Sequence, residues 1–214
     1  MKLYNYFRSS ASFRVRIALN LKGLPYEYVV VHLTKDGGQQ FDPSFRALNP
    51  DALIPVLADD DRTLTQSLAI VEWLDETHPR PPLLPADANG RARVRSIAQS
   101  IACDIHPLNN LRVLNYLTGT LGATEAQRDG WYRYWIDLGF EALEKRLEAE
   151  RATGRCCHGD APTLADVCLV PQVANARRFN VDLAPYPTIV RIDAACNELA
   201  AFADAAPMKQ PDAE

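Results

Sequence analysis

The segment "YFRSSASFRVRIAL", residues 6–19, contains the end of a strand, a corner rich in serine and the start of a helix. Polar and apolar side chains alternate over residues 2–6, as in a half-buried strand, whereas apolar side chains recur at helical spacing over residues 12–21. The serines therefore lie where the helix begins. A helix start has unpaired backbone N–H groups and a partial positive charge, so it favours a bound anion. The segment predicts either a capped helix or an anion site.

The residues that follow complete a small α/β pattern. Gly23 and Pro25 end the helix, and the apolar, β-branched segment "YEYVVVHL", residues 26–33, predicts a strand that is buried on both faces and pairs in parallel. A short helix over residues 42–48, strands starting at residues 54 and 63, and a helix over residues 67–77 follow. Because proline cannot donate to a ladder, we expect Pro55 at a strand entry, where a cis peptide bond is plausible.

A proline-rich segment, "HPRPPLLPAD", marks the end of this pattern. Such a segment is typical of a linker, which we place at residues 79–86. Beyond it the pattern is helical over residues 90–116, 125–150, 163–176 and 186–205. We therefore predict an α/β domain of order βαβ-ββα over residues 1–80 and an all-α domain over residues 87–214. The final segment, "APMKQPDAE", is expected to fray.

Composition excludes several classes of protein. The chain has 214 residues, 47% of them hydrophobic, and a formal charge of −4, so it can bury a substantial core. A sequence pI of about 5.6 argues against a nucleic-acid platform, which needs a basic surface. No apolar run reaches the roughly 18 residues of a membrane span, and no signal peptide is recognisable, so we expect a cytoplasmic protein with no membrane partner. The five cysteines have no zinc-binding or CxxC spacing, which favours reduced thiols and no metal.

The order βαβ-ββα, linker and helical bundle resembles the cytosolic glutathione transferases, whose first domain has a thioredoxin-like fold. Segments along nearly the whole chain resemble their zeta class, which includes maleylacetoacetate and maleylpyruvate isomerases. These segments are "SSASFRVRIALNLKG", "KDGGQQF", "ALNPDALIPVL", "TQSLAIVEWLDETHP", "LLPADANGRARVRSIAQSIACDIHPLNN" and "PTLADVCLVPQV". The resemblance implies glutathione as the cofactor and a homodimer.

The chain departs from the usual zeta pattern in three places. Ser9-Ser10-Ala11-Ser12 replaces Ser-Ser-Cys-Ser, so any role for a cysteine at this corner is absent. His106 stands where the class often has glutamine, and Arg112 where it often has a small polar residue. These substitutions look most like the bacterial maleylpyruvate isomerases of aromatic-acid degradation.

The resemblance also implies a glutathione site. Ser9 is the main thiolate donor with Ser10 close by, because donors at a helix start lower a thiol's pKa. Gln66 and Ser67 hold the γ-glutamyl carboxylate at a second helix start, although ordinary capping is an alternative role for every one of these serines. The full predicted set of glutathione contacts is Ser9, Ser10, Ala11, Ser12, Phe13, Arg14, Gln40, Ile54, Gln66, Ser67, His106, Asn110, Leu111 and Arg112.

Within that set, Ile54 would offer its backbone N–H and C=O to the cysteinyl part of glutathione, as an added strand would. Gln40 would contact the glycyl end. His106 and Asn110 are four residues apart and would share one helix face, although Pro107 should kink that helix. Thr163-Leu164-Ala165-Asp166 reads as a capping box with a structural role.

A diacid substrate requires guanidinium groups for its carboxylates. The candidates are Arg8, Arg112 and one of the pair Arg177 and Arg178, of which we include Arg178. With Ser9 and Ser10 they make up the predicted catalytic set. Five further arginines are expected at the surface: Arg14, Arg16, Arg91, Arg93 and Arg95.

The resulting hypothesis is a glutathione-dependent isomerase that converts maleylpyruvate to fumarylpyruvate in gentisate catabolism. The implied mechanism is reversible thiolate addition, bond rotation and elimination, with the arginines stabilising an enolate. One alternative is maleylacetoacetate isomerase, whose substrate is longer by one methylene, worth only about 1–3 kcal/mol in a pocket. A transferase acting on halogenated acids and a non-catalytic glutathione-binding module are further alternatives.

Overall fold

The computed structural model describes all residues, Met1–Glu214. They form two compact units. The first contains Met1–Leu83 together with Leu199–Glu214, and the second contains Leu84–Glu198. The order of an α/β unit followed by a helical one agrees with the sequence, but the last residues pack with the first unit and do not continue the second.

The first unit is built on a mixed four-stranded sheet. Its strands are β1 (Lys2–Asn5), β2 (Glu27–Val30), β3 (Val56–Asp59) and β4 (Arg62–Thr65). They lie in the order β2-β1-β3-β4, with β1 parallel to β2 and antiparallel to β3. The predicted parallel pairing is therefore confirmed, but the prediction that the second strand is buried on both faces is wrong. β2 has one neighbour only, and its end residues Glu27 and Val30 are exposed.

Three helices complete this part of the unit: α1 (Ser10–Leu21), α2 (Pro43–Leu48) and α3 (Ser67–Thr77). On one side of the sheet, Phe45 of α2 packs with Val31 and Val56, and Tyr4 lies against this cluster. On the other side, Leu3 and its partner Leu57 are fully buried. The Ile54–Pro55 bond is cis and directly precedes β3, as the sequence indicated.

Helix α1 is buried around its whole circumference, from Ser12 to Leu19. The prediction that Arg14 and Arg16 lie at the surface is therefore wrong. Arg16 is fully buried and donates hydrogen bonds to Asn5 Oδ1 and to the backbone oxygens of residues 6, 7 and 205. These acceptors offset the cost of removing a guanidinium from water. Burial still lowers the pKa of Arg16 to about 10.

The second unit contains helices and the loops between them, with no β-strand. The helices are α4 (Ala88–Gln99), α5 (Leu111–Gly119), α6 (Glu125–Ala149), α7 (Leu164–Arg178) and α8 (Pro187–Asn197). Helix α7 is buried along most of its length and packs against α4 and α8. No helix of the protein combines the length and the apolarity that crossing a bilayer requires.

The predicted helix over residues 90–116 is interrupted in the structure. After α4, a wider π-helical segment covers Ser100–Ile105 and a 3-10 turn covers His106–Asn109. Pro107 cannot donate to a regular helix ladder. Gly139 of α6 has no Cβ, and Ile105 fills the space that a Cβ would need. The two parts of the predicted helix are therefore separate elements.

The final residues are packed and not frayed, so that prediction is wrong. Helix α9 (Ala200–Ala203) packs against α1, and Asn20 donates to the Ala201 carbonyl at 3.1 Å. Further along, Asp212 accepts hydrogen bonds from the Phe7 N–H and the Tyr28 hydroxyl. The signals that suggested fraying were local, namely prolines and small polar residues. These contacts join residues far apart in the sequence.

Candidate functional site

Ser9 is the N-cap of α1. Its Oγ accepts a hydrogen bond from the Ser12 N–H at 3.2 Å, and its own backbone is extended, as a cap residue requires. A hydroxyl has one proton and two lone pairs, so Ser9 can accept from the helix and still donate outward. The two roles that the sequence left open, cap and anion donor, are therefore compatible in one side chain.

The neighbours of Ser9 are less accessible. Ser10, Ser12 and Phe13 are buried, Ala11 is half-buried, and the Ser12 Oγ is enclosed without a hydrogen-bond partner. Among the three serines, Ser9 alone is not buried. This favours Ser9 over Ser10 as a donor to a molecule outside the corner.

Arg14 connects the starts of two helices. It lies one turn into α1, is buried, and donates from Nη1 to the Ser67 Oγ at 3.1 Å. Ser67 is the first residue of α3, which packs against α1. The serine corner and the Gln66–Ser67 corner are therefore adjacent. The partial positive charges of both helix starts would favour an anionic ligand placed between them.

Gln66 precedes α3 in a strained backbone conformation, with φ 67° and ψ 113°. Positive φ is uncommon for a residue with a side chain and is found at functional sites. Its side chain is exposed and makes no capping hydrogen bond to α3. The first-turn N–H groups of α3 thus lack a side-chain cap, which suits the binding of a carboxylate.

Ile54 lies just outside the sheet ladder. The last pair between β1 and β3 joins Tyr4 to Val56, so the backbone of Ile54 is beyond the end of the strand pairing. Its side chain is half-buried and packs on the α2 side of the sheet. That the N–H and C=O of Ile54 pair with an extended peptide stays a prediction, and their place outside the ladder is compatible with it.

The loop that contains Gln40 is held by His32. The His32 Nδ1 accepts from the Lys35 N–H at 2.9 Å, and the His32 N–H donates to the Gln39 Oε1 at 2.7 Å. Gln40 is itself buried and donates to the Leu33 carbonyl at 3.3 Å, while its Oε1 is enclosed without a partner. The side chain of Gln40 thus lies inside the loop and supports it from within.

Arg8 is exposed at the serine corner. Its guanidinium lies 4.8 Å from the centre of the Phe7 ring and donates from Nη2 to the backbone oxygen of Glu214 at 3.3 Å. These two contacts use one of the five guanidinium protons for hydrogen bonding. Arg8 therefore retains donors for a carboxylate.

In the second unit, the predicted helix face of His106 and Asn110 does not exist. His106 begins the 3-10 turn, and Asn110 is the extended N-cap of α5, whose Oδ1 accepts from the Arg112 N–H at 3.1 Å. The physical reason is the break at Pro107. Leu111 is half-buried and Arg112 is exposed, both in the first turn of α5.

Arg177 and Arg178, at the end of α7, have different environments. Arg177 forms an ion pair with the buried Asp193 at 2.7 Å. Arg178 lies 4.7 Å from the centre of the Phe179 ring. Phe179 stacks on Tyr132. Burial raises the pKa of Tyr132, and the charge of Arg178 offsets part of that rise. Because Arg177 neutralises a buried carboxylate, Arg178 is the better candidate for binding a ligand.

The capping box that precedes α7 is confirmed as structural. Asp166 is fully buried and accepts from the Thr163 N–H at 2.8 Å, the Thr163 hydroxyl at 2.9 Å and the Cys157 N–H at 2.7 Å. Burial raises the pKa of Asp166, and these hydrogen bonds act in the opposite direction. The Asp166 carboxylate thus accepts hydrogen bonds from the residues that precede α7.

Arg93 was also expected at the surface, and that prediction is wrong. Its side chain is largely buried and donates to Glu150, to the Cys157 carbonyl and to the Thr153 hydroxyl. For Arg14 and Arg16 a signal was available in the sequence, since both lie between apolar residues on every side of a short helix. For Asp212 and Glu214 no sequence signal indicated a role.

Residues 3–82 match the family model described as glutathione S-transferase, N-terminal domain. A maleylpyruvate isomerase from Ralstonia is 56% identical over 212 residues, which cover 99% of each chain.

Two solved structures are also similar over their full lengths. One is the holo structure of a maleylpyruvate isomerase, described as a bacterial glutathione S-transferase of the zeta class. It has a TM-score of 0.97 at 56% identity, with 100% of each chain covered. The other is a maleylacetoacetate isomerase from Methylobacterium extorquens AM1 with bound malonate and GSH. It has a TM-score of 0.96 at 45% identity, again with 100% of each chain covered.

Proposed function

This chain belongs to the zeta-class glutathione transferase family, and we propose that it is a glutathione-dependent isomerase that converts maleylpyruvate to fumarylpyruvate. The observation that carries the proposal is the full-length similarity to a maleylpyruvate isomerase at more than half of all positions. A match of this length includes both units and therefore the candidate residues of each.

The residues of the first unit fit glutathione, a tripeptide with a thiol between two carboxylate ends. The uncapped first turn of α3, next to Gln66, suits the γ-glutamyl carboxylate. The backbone of Ile54 beyond β3 suits the peptide portion. Ser9, half-buried at the start of α1, suits the thiolate. Glutathione, when bound, would supply a thiolate that adds reversibly to the substrate double bond, so that the bond can rotate.

The chain's own residues then have three tasks. The Ser9 hydroxyl donates a hydrogen bond to an anion, while its oxygen still accepts the hydrogen bond from the Ser12 N–H. The α1 and α3 starts, linked through Arg14 and Ser67, add fixed dipoles that favour negative charge. Ser10 and Ser12, which are buried, shape the corner.

The arginines are proposed to hold the substrate's carboxylates. Arg8 and Arg112 are exposed, and Arg178 is supported by the Phe179 ring. Guanidinium groups bind carboxylates through paired N–H donors and stabilise the negative charge that develops on an enolate oxygen. His106, Asn110 and Leu111 border this set in sequence, and we retain them as proposed glutathione or substrate contacts.

A spectrophotometric assay with purified protein tests the proposal. We expect maleylpyruvate to be isomerised only when glutathione is present, and glutathione to be recovered unchanged. A protein that binds glutathione but does not convert maleylpyruvate would contradict the proposal and favour a non-catalytic binding module.

Maleylacetoacetate isomerase is the second candidate, because a solved isomerase of that name shares the whole fold with this chain. The ratio of kcat/KM for the two diacids decides between them. Preference for maleylacetoacetate would make it the physiological substrate. We also propose, from the family resemblance, a homodimer and a cytoplasmic location. Sedimentation of the purified chain tests the dimer.

A further inference from the structure

The backbone of Phe7, just before the serine corner, is held on both sides of its Cα by two charged side chains. Phe7 follows the end of β1, so its N–H is outside the sheet ladder. That N–H donates to the Asp212 Oδ2 at 3.0 Å, and the Phe7 carbonyl accepts from the Arg16 Nη2 at 3.0 Å. Hydrogen bonds to charged groups are stronger than those between neutral groups. The direction in which the chain enters Arg8 and Ser9 is therefore set from both sides.

Asp212 is itself anchored. Its Oδ1 accepts from the Tyr28 hydroxyl at 2.5 Å, so one carboxylate bridges the end of β1 and the edge strand β2. Burial raises the pKa of Tyr28 and the bond to Asp212 raises it further, so Tyr28 remains a donor. The charge of Asp212 also favours the protonated form of the buried Arg16.

The same network reaches Ser9 directly. The Ser9 N–H donates to the Tyr6 carbonyl at 3.0 Å, and that carbonyl also accepts from the Arg16 Nη1 at 3.4 Å. Asp212, Phe7, Arg16 and Ser9 thus form a continuous set of contacts. All of them lie within the first unit.

Glu214 makes a second connection, to the loop that contains Gln40. Its carboxylate lies 3.0 Å from the His32 Nε2 and 3.0 Å from the Lys35 Nζ. Its backbone oxygen accepts from Arg8. Residues 206–214, which we call the strap, therefore contact the serine corner, where the thiolate is predicted, and the loop that is predicted to contact the glycyl end of glutathione.

We propose that Asp212 is a positioning residue, which acts through the Phe7 peptide to hold Ser9 and Arg8 in the orientation that binding an anion requires. The effect of this role on catalysis rests on the proposed function. The contacts of Asp212 with Phe7 and Tyr28 do not depend on any substrate. Asp212 would not touch the reacting atoms. Its effect on chemistry passes through Ser9.

Amide hydrogen exchange on the full-length protein tests the positioning role without any ligand. In Asp212→Ala we expect exchange at Phe7 and Ser9 to become about 10- to 100-fold faster, because a charged acceptor is lost. In Asp204→Ala, an exposed aspartate of the same chain segment, exchange should be unchanged. Equal acceleration across the whole sheet, or no change at Phe7, would overturn the proposal.

The second readout is the ultraviolet titration of glutathione bound to each variant. If Asp212 positions Ser9, the thiol pKa should rise in Asp212→Ala and in the isosteric Asp212→Asn, which guards against misfolding of the first variant. Tyr28→Phe removes the anchor but leaves the carboxylate on Phe7, so its effect should be smaller. A thiol pKa equal to that of the wild type in both Asp212 variants would refute the role.

These measurements separate the two proposals. Failure of the wild-type protein to isomerise maleylpyruvate would contradict the proposed function, whereas the exchange and titration results concern Asp212 alone. In the isomerase assay, kcat should fall about tenfold with little change in the KM for glutathione, since the helix α3 contacts remain. A change in the KM for glutathione with no change in kcat would contradict the positioning role of Asp212.

Discussion

Replacing Ser9 tests the account of the serine corner most directly, because the side chain has two separable tasks. As the N-cap, its Oγ accepts from the Ser12 N–H at 3.2 Å. Loss of such a cap costs about 1 kcal/mol of folding free energy, which lowers the Tm of a chain of this size by about 2–4 °C. As a donor, its hydroxyl would stabilise a thiolate by about 1.5–3 kcal/mol, since the acceptor is charged.

That second quantity converts directly into a pKa. At about 1.36 kcal/mol for each pKa unit, Ser9→Ala should raise the pKa of bound glutathione by about 1–2 units. If the wild-type thiol ionises near neutral pH, its ionised fraction at pH 7 and the isomerisation rate then fall about 5- to 50-fold. The assays are ultraviolet titration of the thiolate and the rate of maleylpyruvate conversion at several pH values.

Two variants separate the cap from the donor. Glycine is tolerated at an N-cap with a loss of only a few tenths of a kcal/mol, so Ser9→Gly should nearly retain the Tm while showing the same rise in thiol pKa. Ser12→Ala compares the neighbouring hydroxyl: the Ser12 Oγ is buried without a partner, so its loss should leave the thiol pKa close to the wild-type value if Ser9 is the donor. A thiol pKa in Ser9→Gly equal to the wild-type value would refute the donor role.

Three further predictions concern other parts of the molecule. Gln66→Gly should relieve the positive φ and raise the free energy of unfolding by about 1 kcal/mol, measured by urea denaturation, and equal or lower stability would contradict the assigned strain. Arg178→Ala should raise the KM for the diacid with little change in Tm, whereas Arg177→Ala should lower Tm by leaving a buried carboxylate unpaired. A raised KM in Arg177→Ala and a lowered Tm in Arg178→Ala would instead make Arg177 the ligand-binding residue. The hydrogen bond from Lys35 is the main cause that lowers the pKa of the Glu214 carboxyl below its usual value of 4.5. The contacts of the strap with the first unit should therefore be stable above about pH 4.5 and be lost as the pH falls through that lowered pKa. Glu214→Gln should abolish this pH dependence, as followed by hydrogen exchange.

The order of elements was largely readable from the sequence because its signals are local. Alternation over residues 2–6, the prolines of the linker and the long helical patterns each report the periodicity of one segment. The capping box at Thr163 and Asp166 was likewise recognisable, since both partners lie within one turn. The exposure of β2 was not recognisable from the sequence, because a strand's position at the edge of a sheet depends on which strands pair with it.

Some errors within the site have the same origin. His106 and Asn110 have the spacing of one helix face, but the wide turn at Ser100–Ile105 and the break at Pro107 separate them. That geometry depends in part on Ile105 packing against Gly139, which belongs to a different helix. Periodicity carries no information on such contacts.

The sequence by itself determined the fold class, the family and the placement of three serines at a helix start, because each depends on neighbouring residues or on a pattern along the chain. Tertiary structure alone decided which groups the buried Arg14 and Arg16 contact, that Arg177 pairs with Asp193, and that Asp212 accepts from the Phe7 N–H. In each of these cases a charged group lies where its partner comes from a distant segment. The free energy of burying a charge depends on that partner, and residue order does not specify it.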